Sequence, residues 1–152
     1  MSSTDAIVLL VALASCWAMT GVIWVIQLVH YPIFDAIEHG DDNAGWAAFA
    51  RRHTSSISLV VGPLMLAEGI SGVWLAADPP PGVSQVLAVS SLALMGLAYG
   101  VTAFVSAPLH TRLAHHFDAG LHRRLLDTNW IRTAAWSGRA ILLVVIAFSA
   151  IT

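Results

Sequence analysis

Ionisable side chains are missing from four long stretches of this chain, and that absence restricts where it can fold more than any motif does. Residues 6–34 hold no Asp, Glu, Lys or Arg; residues 53–77 hold only Glu68; residues 79–111 hold none; residues 133–152 hold only Arg139. A hydrocarbon slab about 30 Å thick is crossed by about 20 apolar helical residues, so each stretch is long enough to span it. Backbone polar groups in lipid must be satisfied within the segment, which selects helices for runs of this length. The expected fold class is all-α: a four-helix transmembrane bundle, polytopic and integral to the membrane. It forms one domain over residues 1–152, with spans at about 4–31, 44–77, 84–109 and 129–152.

Composition agrees and excludes several functions. Charged residues make up 11% of the chain, where soluble domains carry about 25%. A net charge of −2 leaves no basic surface for phosphates, so nucleic acid is not an expected partner. Lysine is absent, which removes Schiff-base chemistry. The single cysteine, Cys16, cannot form an internal disulfide. Leu13-Ala14-Ser15-Cys16 resembles a lipoprotein cleavage box. The preceding segment, however, lacks a basic residue and the apolar run continues to Phe34, so Cys16 is expected to pack inside the first helix.

The arginines orient the bundle. Arg51 and Arg52 separate spans one and two; Arg112, Arg123 and Arg124 separate spans three and four, and Arg132 opens the fourth. The positive-inside rule then places both long loops in the cytoplasm and both termini outside, in a bacterial-type inner membrane. Pro32 is expected to end the first helix, and Pro63 to kink the second. The acidic loop 35–43 offers Asp42 or Asn43 as an N-cap, with Trp46 and Phe49 at headgroup depth just after it. Asp78-Pro79-Pro80-Pro81-Gly82 reads as a tight turn. Gly96 and Gly100 form a small-xxx-small pair suited to close helix approach. Residues 110–130, with Leu113, Phe117, Leu121 and Leu125 at i+4 spacing, read as an amphipathic stretch on the membrane surface.

Polar residues recur at steps of 3, 4 and 7, so each helix carries one polar face. The sets are Cys16, Thr20, Gln27 and His30; Thr54, Ser58, Met65 and Glu68; Ser91, Met95, Tyr99, Thr102, Ser106 and His110; and Asn129, Arg132, Trp136 and Arg139. Most of the hydroxyls in these sets read as ordinary interhelical hydrogen bonds. His30, His53 and His110 come from three helices at similar depth and are candidate ligands for a transition metal, copper or iron. Haem held by the same side chains is the alternative. His115, His116 and His122 adjoin them. Glu68 lies about 15 Å along its helix from Ser58, near mid-bilayer. Arg139, about 10 Å beyond Arg132, is placed to pair with it. Glu68, Tyr99, Asn129, Arg132 and Arg139 are therefore the candidate catalytic residues, with Glu68 as proton carrier, base or ligand.

The block Ala107-Pro108-Leu109-His110, with Leu113 and then Asn129-Trp130-Ile131-Arg132-Thr133, resembles the C-terminal half of small four-helix membrane proteins that include anthrone oxygenases. The resemblance covers about a third of the chain. It implies oxidation of a hydrophobic, often aromatic, substrate entering from the bilayer, with Asn129 and Arg132 near the site. His110 stands where that family is expected to carry asparagine.

The expected function is a metal-dependent membrane oxidoreductase or oxygenase acting on a hydrophobic small molecule at the cytoplasmic end of the bundle. Two alternatives stay open: a proton-coupled transporter of small molecules or metal ions using Glu68 and Arg139, and a non-catalytic subunit binding haem or a partner. The lipid bilayer is the expected surrounding, and a homo-oligomer is compatible with either.

Overall fold

The computed structural model describes residues 1–34 and 44–151. Four helices cover almost all of them: α1, Ser3–Ile33; α2, Ala44–Ala77; α3, Gln85–Leu113; and α4, Ala119–Ile151. Each is long and apolar enough to cross a membrane, so this is an integral membrane four-helix bundle. Sequence neighbours pack against each other, and α1 closes the ring against α4. The helices therefore alternate in direction around a square.

Local chemistry sets the helix starts. Ser2 Oγ accepts from the Asp5 amide at 3.1 Å while the Asp5 carboxylate accepts from the Ser2 amide at 2.8 Å, a capping box that satisfies two free donors. Ser84 Oγ accepts from the Leu87 amide and Asp118 Oδ1 from the Leu121 amide in the same manner. Between α2 and α3 the expected tight turn is present. Gly82 takes a φ of 87° there, a left-handed value that glycine adopts without a Cβ clash.

Two prolines leave a shared signature. Pro32 does not end α1; the helix passes through a π-helical turn at Ile26–His30 and continues to Ile33. In α3 a second π turn, Thr102–Ser106, precedes Pro108. A proline cannot donate to the carbonyl four residues back, and its ring crowds that carbonyl. The wider π turn moves the crowded carbonyls away. Pro63, in contrast, sits inside an uninterrupted α2.

Three expectations are corrected. The fourth helix starts at Ala119, ten residues before 129, because Asp118 caps it and His122 and Leu125 are buried; of the stretch 110–130, residues 110–113 end α3 and residues 119–130 form the first three turns of α4. Trp46 is fully enclosed by protein, donating from Nε1 to the Leu113 carbonyl. Gly96 and Gly100 face open space, and the glycine pressed hardest against a neighbouring helix is Gly72 of α2. Thr54 and Ser58 are exposed and donate to the carbonyls of Ala50 and Thr54 on their own helix. The acidic loop and its Asp42 or Asn43 cap lie outside the described residues.

Inside the ring the side chains form layers. At the end holding the chain termini, Leu9, Ala12, Leu75, Leu143 and Ile146 make an apolar core. At the opposite end Ile26, Tyr31, Phe34, Trp46, Leu109, Leu113 and Leu125 make an aromatic one. Polar residues occupy the space between them and intrude into the aromatic end.

Candidate functional site

The midplane layer is built around one ion pair. Glu68 of α2 and Arg139 of α4 are both fully buried, and Arg139 Nη1 donates to Glu68 Oε1. Glu68 Oε2 accepts from Trp136 Nε1 at 3.0 Å, and the single Tyr99 hydroxyl proton is shared between the nearer Met65 carbonyl and Glu68 Oε2 at 3.3 Å. Isolated charges are expelled from hydrocarbon, so pairing is the arrangement that keeps both ionised. Among the described residues, however, Arg139 Nε and Nη2 have no acceptor.

A second layer lies one to two turns nearer the aromatic end. Arg132 stacks over the Trp136 ring at 5.4 Å. Its Nη1 donates to Asn129 Oδ1 at 3.0 Å and Ser106 Oγ at 3.3 Å. Asn129 Nδ2 donates in turn to Gln27 Oε1 at 2.7 Å. Asn129, Arg132, Trp136 and Arg139 are all buried, so the whole polar face expected on the fourth helix points inward. From Glu68 through Trp136, Arg132 and Asn129 to Gln27, polar and aromatic groups follow one another without an aliphatic gap.

The histidines form the third layer. His30 Nε2 and His53 Nδ1 are hydrogen-bonded at 2.8 Å, one ring donating and the other accepting. The His53 and His110 ring centroids are 5.5 Å apart. His110 Nε2 is bonded instead to Tyr31 Oη at 2.9 Å, and His122 Nε2 donates to the Tyr31 carbonyl at 3.0 Å. Phe34 meets the His30 ring edge-on and stacks on His122. His115 and His116 are exposed and take no part.

The structure thus brings His30, His53 and His110 to one end of the bundle, as their depth implied. It does not arrange them as a ligand set: no group of three His, Cys, Asp or Glu side chains among the described residues is placed to hold a metal ion. The donor chemistry suits copper or iron, but the ring nitrogens that face each other are already bonded. Tyr31 was missing from the expected site residues. An aromatic at a helix end reads as an interfacial anchor, and the signal that marks it is its position between a histidine and a proline.

No family model, curated protein or solved structure matches this chain. The geometry therefore stands alone as the guide to function.

One more feature completes the histidine end. A groove of about 850 Å³ runs along the seam of α1 and α2. Gly21, Val25, Ile57 and Val60 line its apolar length, and His30, Arg52 and His53 gather at one end. Ligand pockets are of this size and build, largely apolar with a few convergent polar groups.

Proposed function

We propose that this protein is a membrane oxidoreductase acting on a hydrophobic small molecule that reaches the His30–His53 pair laterally, from the bilayer. The observation that carries the reading is the groove between α1 and α2: its walls match a lipophilic body, and its polar end presents two imidazoles and a guanidinium. Imidazoles hydrogen-bonded to each other can pass a proton between substrate and interior. Arg52 suits a carbonyl or anionic head group. Copper or iron would supply the redox chemistry only if His30 and His53 exchanged their mutual hydrogen bond for the ion, since their facing nitrogens are bonded to each other and His110 is bonded to Tyr31. The resemblance to anthrone oxygenases points to the same reaction class.

Elemental analysis of the detergent-purified protein, with an absorption spectrum on the same sample, is the test. Near-stoichiometric copper or iron that is lost in His30→Ala and in His53→Ala supports the reading. A colourless, metal-free protein that also refuses added metal removes the oxidoreductase and leaves the groove as a binding site.

One observation favours a second reading, proton-coupled transport: the continuous polar path from Glu68 to Gln27. That reading expects Glu68→Gln to abolish proton-linked flux in proteoliposomes, and undiminished flux would end it. In either case we place the histidine end in the cytoplasm, because the arginines between helices gather there. With Cys16 buried, an Arg123→Cys variant should react with an impermeant maleimide only after cells are permeabilised.

A further inference from the structure

The groove on the opposite flank of α2 is lined by Met95, which lies beside Arg139 at Gly72. It has a volume of about 980 Å³ and runs along α2 and α3, where Gly69, Ile70, Val73, Met95 and Tyr99 line it. Behind that wall stands the ion pair. A Cβ added to Gly72 would lie 2.7 Å from Arg139 Nη2 and 2.9 Å from Met95 Sδ. The guanidinium therefore rests close against α2 at Gly72, and Met95, which meets the same point, also lines the groove. Methionine is the most adaptable of the apolar side chains, so this is the part of the wall best able to yield to a ligand.

Arg139 is fully buried, yet among the described residues its Nε and Nη2 protons have no acceptor. Buried donors without partners are costly, and more so on a charged group. Charge decides what satisfies them. Glu68 already neutralises Arg139, and its second oxygen is filled by Trp136 and Tyr99. An anion arriving there would add a net negative charge to the bilayer midplane. A hydroxyl would accept but bring a proton with no acceptor of its own. A carbonyl oxygen has two lone pairs, no proton and no net charge.

We propose that Arg139 binds the carbonyl oxygen of a neutral, lipid-soluble molecule that enters from the bilayer along the α2–α3 groove, past Gly72 and Met95. Gly69 lies sixteen residues, about 24 Å of helix, from His53. The site is separate from the histidine end and does not depend on the oxidoreductase reading.

The test uses the full chain in lipid nanodiscs and a long-chain methyl ketone isotope-labelled at its carbonyl, read by infrared difference spectroscopy. A saturable carbonyl band should appear, shifted to lower frequency than in protein-free nanodiscs. Unlabelled ketone should displace it, while the matched alkane and the matched fatty-acid anion should do so at least about tenfold less well. Gly72→Ala should erase the shifted band. Because that substitution crowds Arg139 and can disturb the fold, Val73→Trp provides an independent block: Val73 is exposed on the groove wall, and its replacement should weaken binding about tenfold or more with the unfolding temperature unchanged. No saturable shifted band, an alkane that competes as well as the ketone, or full binding in a folded Val73→Trp protein would each overturn the proposal.

Discussion

The ion-pair layer and the histidine layer bury polar groups in the same bundle by opposite means. At the midplane, Glu68 and Arg139 neutralise each other, and Trp136 and Tyr99 complete the carboxylate. The charged members are a fixed donor and a fixed acceptor, so removing either leaves a charge in hydrocarbon. At the aromatic end, His30 bonds to His53 and His110 to Tyr31. These groups act as donor or acceptor according to tautomer, and neighbouring rings enclose them. The contrast teaches that depth selects chemistry: far from water a polar site needs a dedicated partner for every charge, whereas near the interface it can use groups that change roles.

The comparison breaks most sharply at Glu68. Glu68→Leu should lower stability by about 3–5 kcal/mol, because Arg139 is left charged and alone. The double variant Glu68→Leu/Arg139→Leu should recover most of that loss. Reversible unfolding in mixed micelles measures both, and a double variant no better than the single one would show that the pair contributes more than neutralisation. Next in size, Asn129→Ala strips acceptors from Arg132 and the donor to Gln27. The expected cost is about 1–3 kcal/mol, read in the same assay.

Tyr31→Phe sharpens the other side. It removes one neutral hydrogen bond from His110 and should cost about 0.6 kcal/mol, the average for polar contacts between membrane helices. A loss as large as that of Asn129→Ala would mean that the histidine layer is as rigidly specified as the midplane. Thr54→Val and Ser58→Ala should change stability by less than about 0.5 kcal/mol, since both hydroxyls are exposed and bond only within their own helix.

That last pair shows where sequence reading stops. The four helices, and the pairing of Glu68 with Arg139, were legible because hydrocarbon tolerates neither free backbone groups nor lone charges. The inward face of α4 was legible for the same reason, as Asn129, Arg132 and Arg139 cannot face lipid at low cost. A serine or threonine is different: it satisfies itself on the carbonyl four residues back, so the spacing of Thr54 and Ser58 carries no information about direction. The start of α4 was hidden because Arg123, Arg124 and Asp127 look like loop residues, although they are helical and its buried face is His122 and Leu125. That no three-ligand set is arranged among the described residues was not legible at all, since it depends on which ring nitrogens face one another.

The two π turns have a consequence for how such a chain can vary. Each has the form of an α-helix that has absorbed one surplus residue, and the wider turn largely spares the residues beyond it the rotation of about 100° that an extra residue in a regular α-helix would impose. Downstream of the first turn lies Tyr31, and downstream of the second lies His110. Their angular position thus depends on where a change of length falls as well as on residue identity. Shortening 26–30 or 102–106 by one residue should close the turn as regular α-helix with the tyrosine–histidine contact largely kept, whereas one residue added to the α-helix beyond either turn and before Tyr31 or His110 would rotate that partner away.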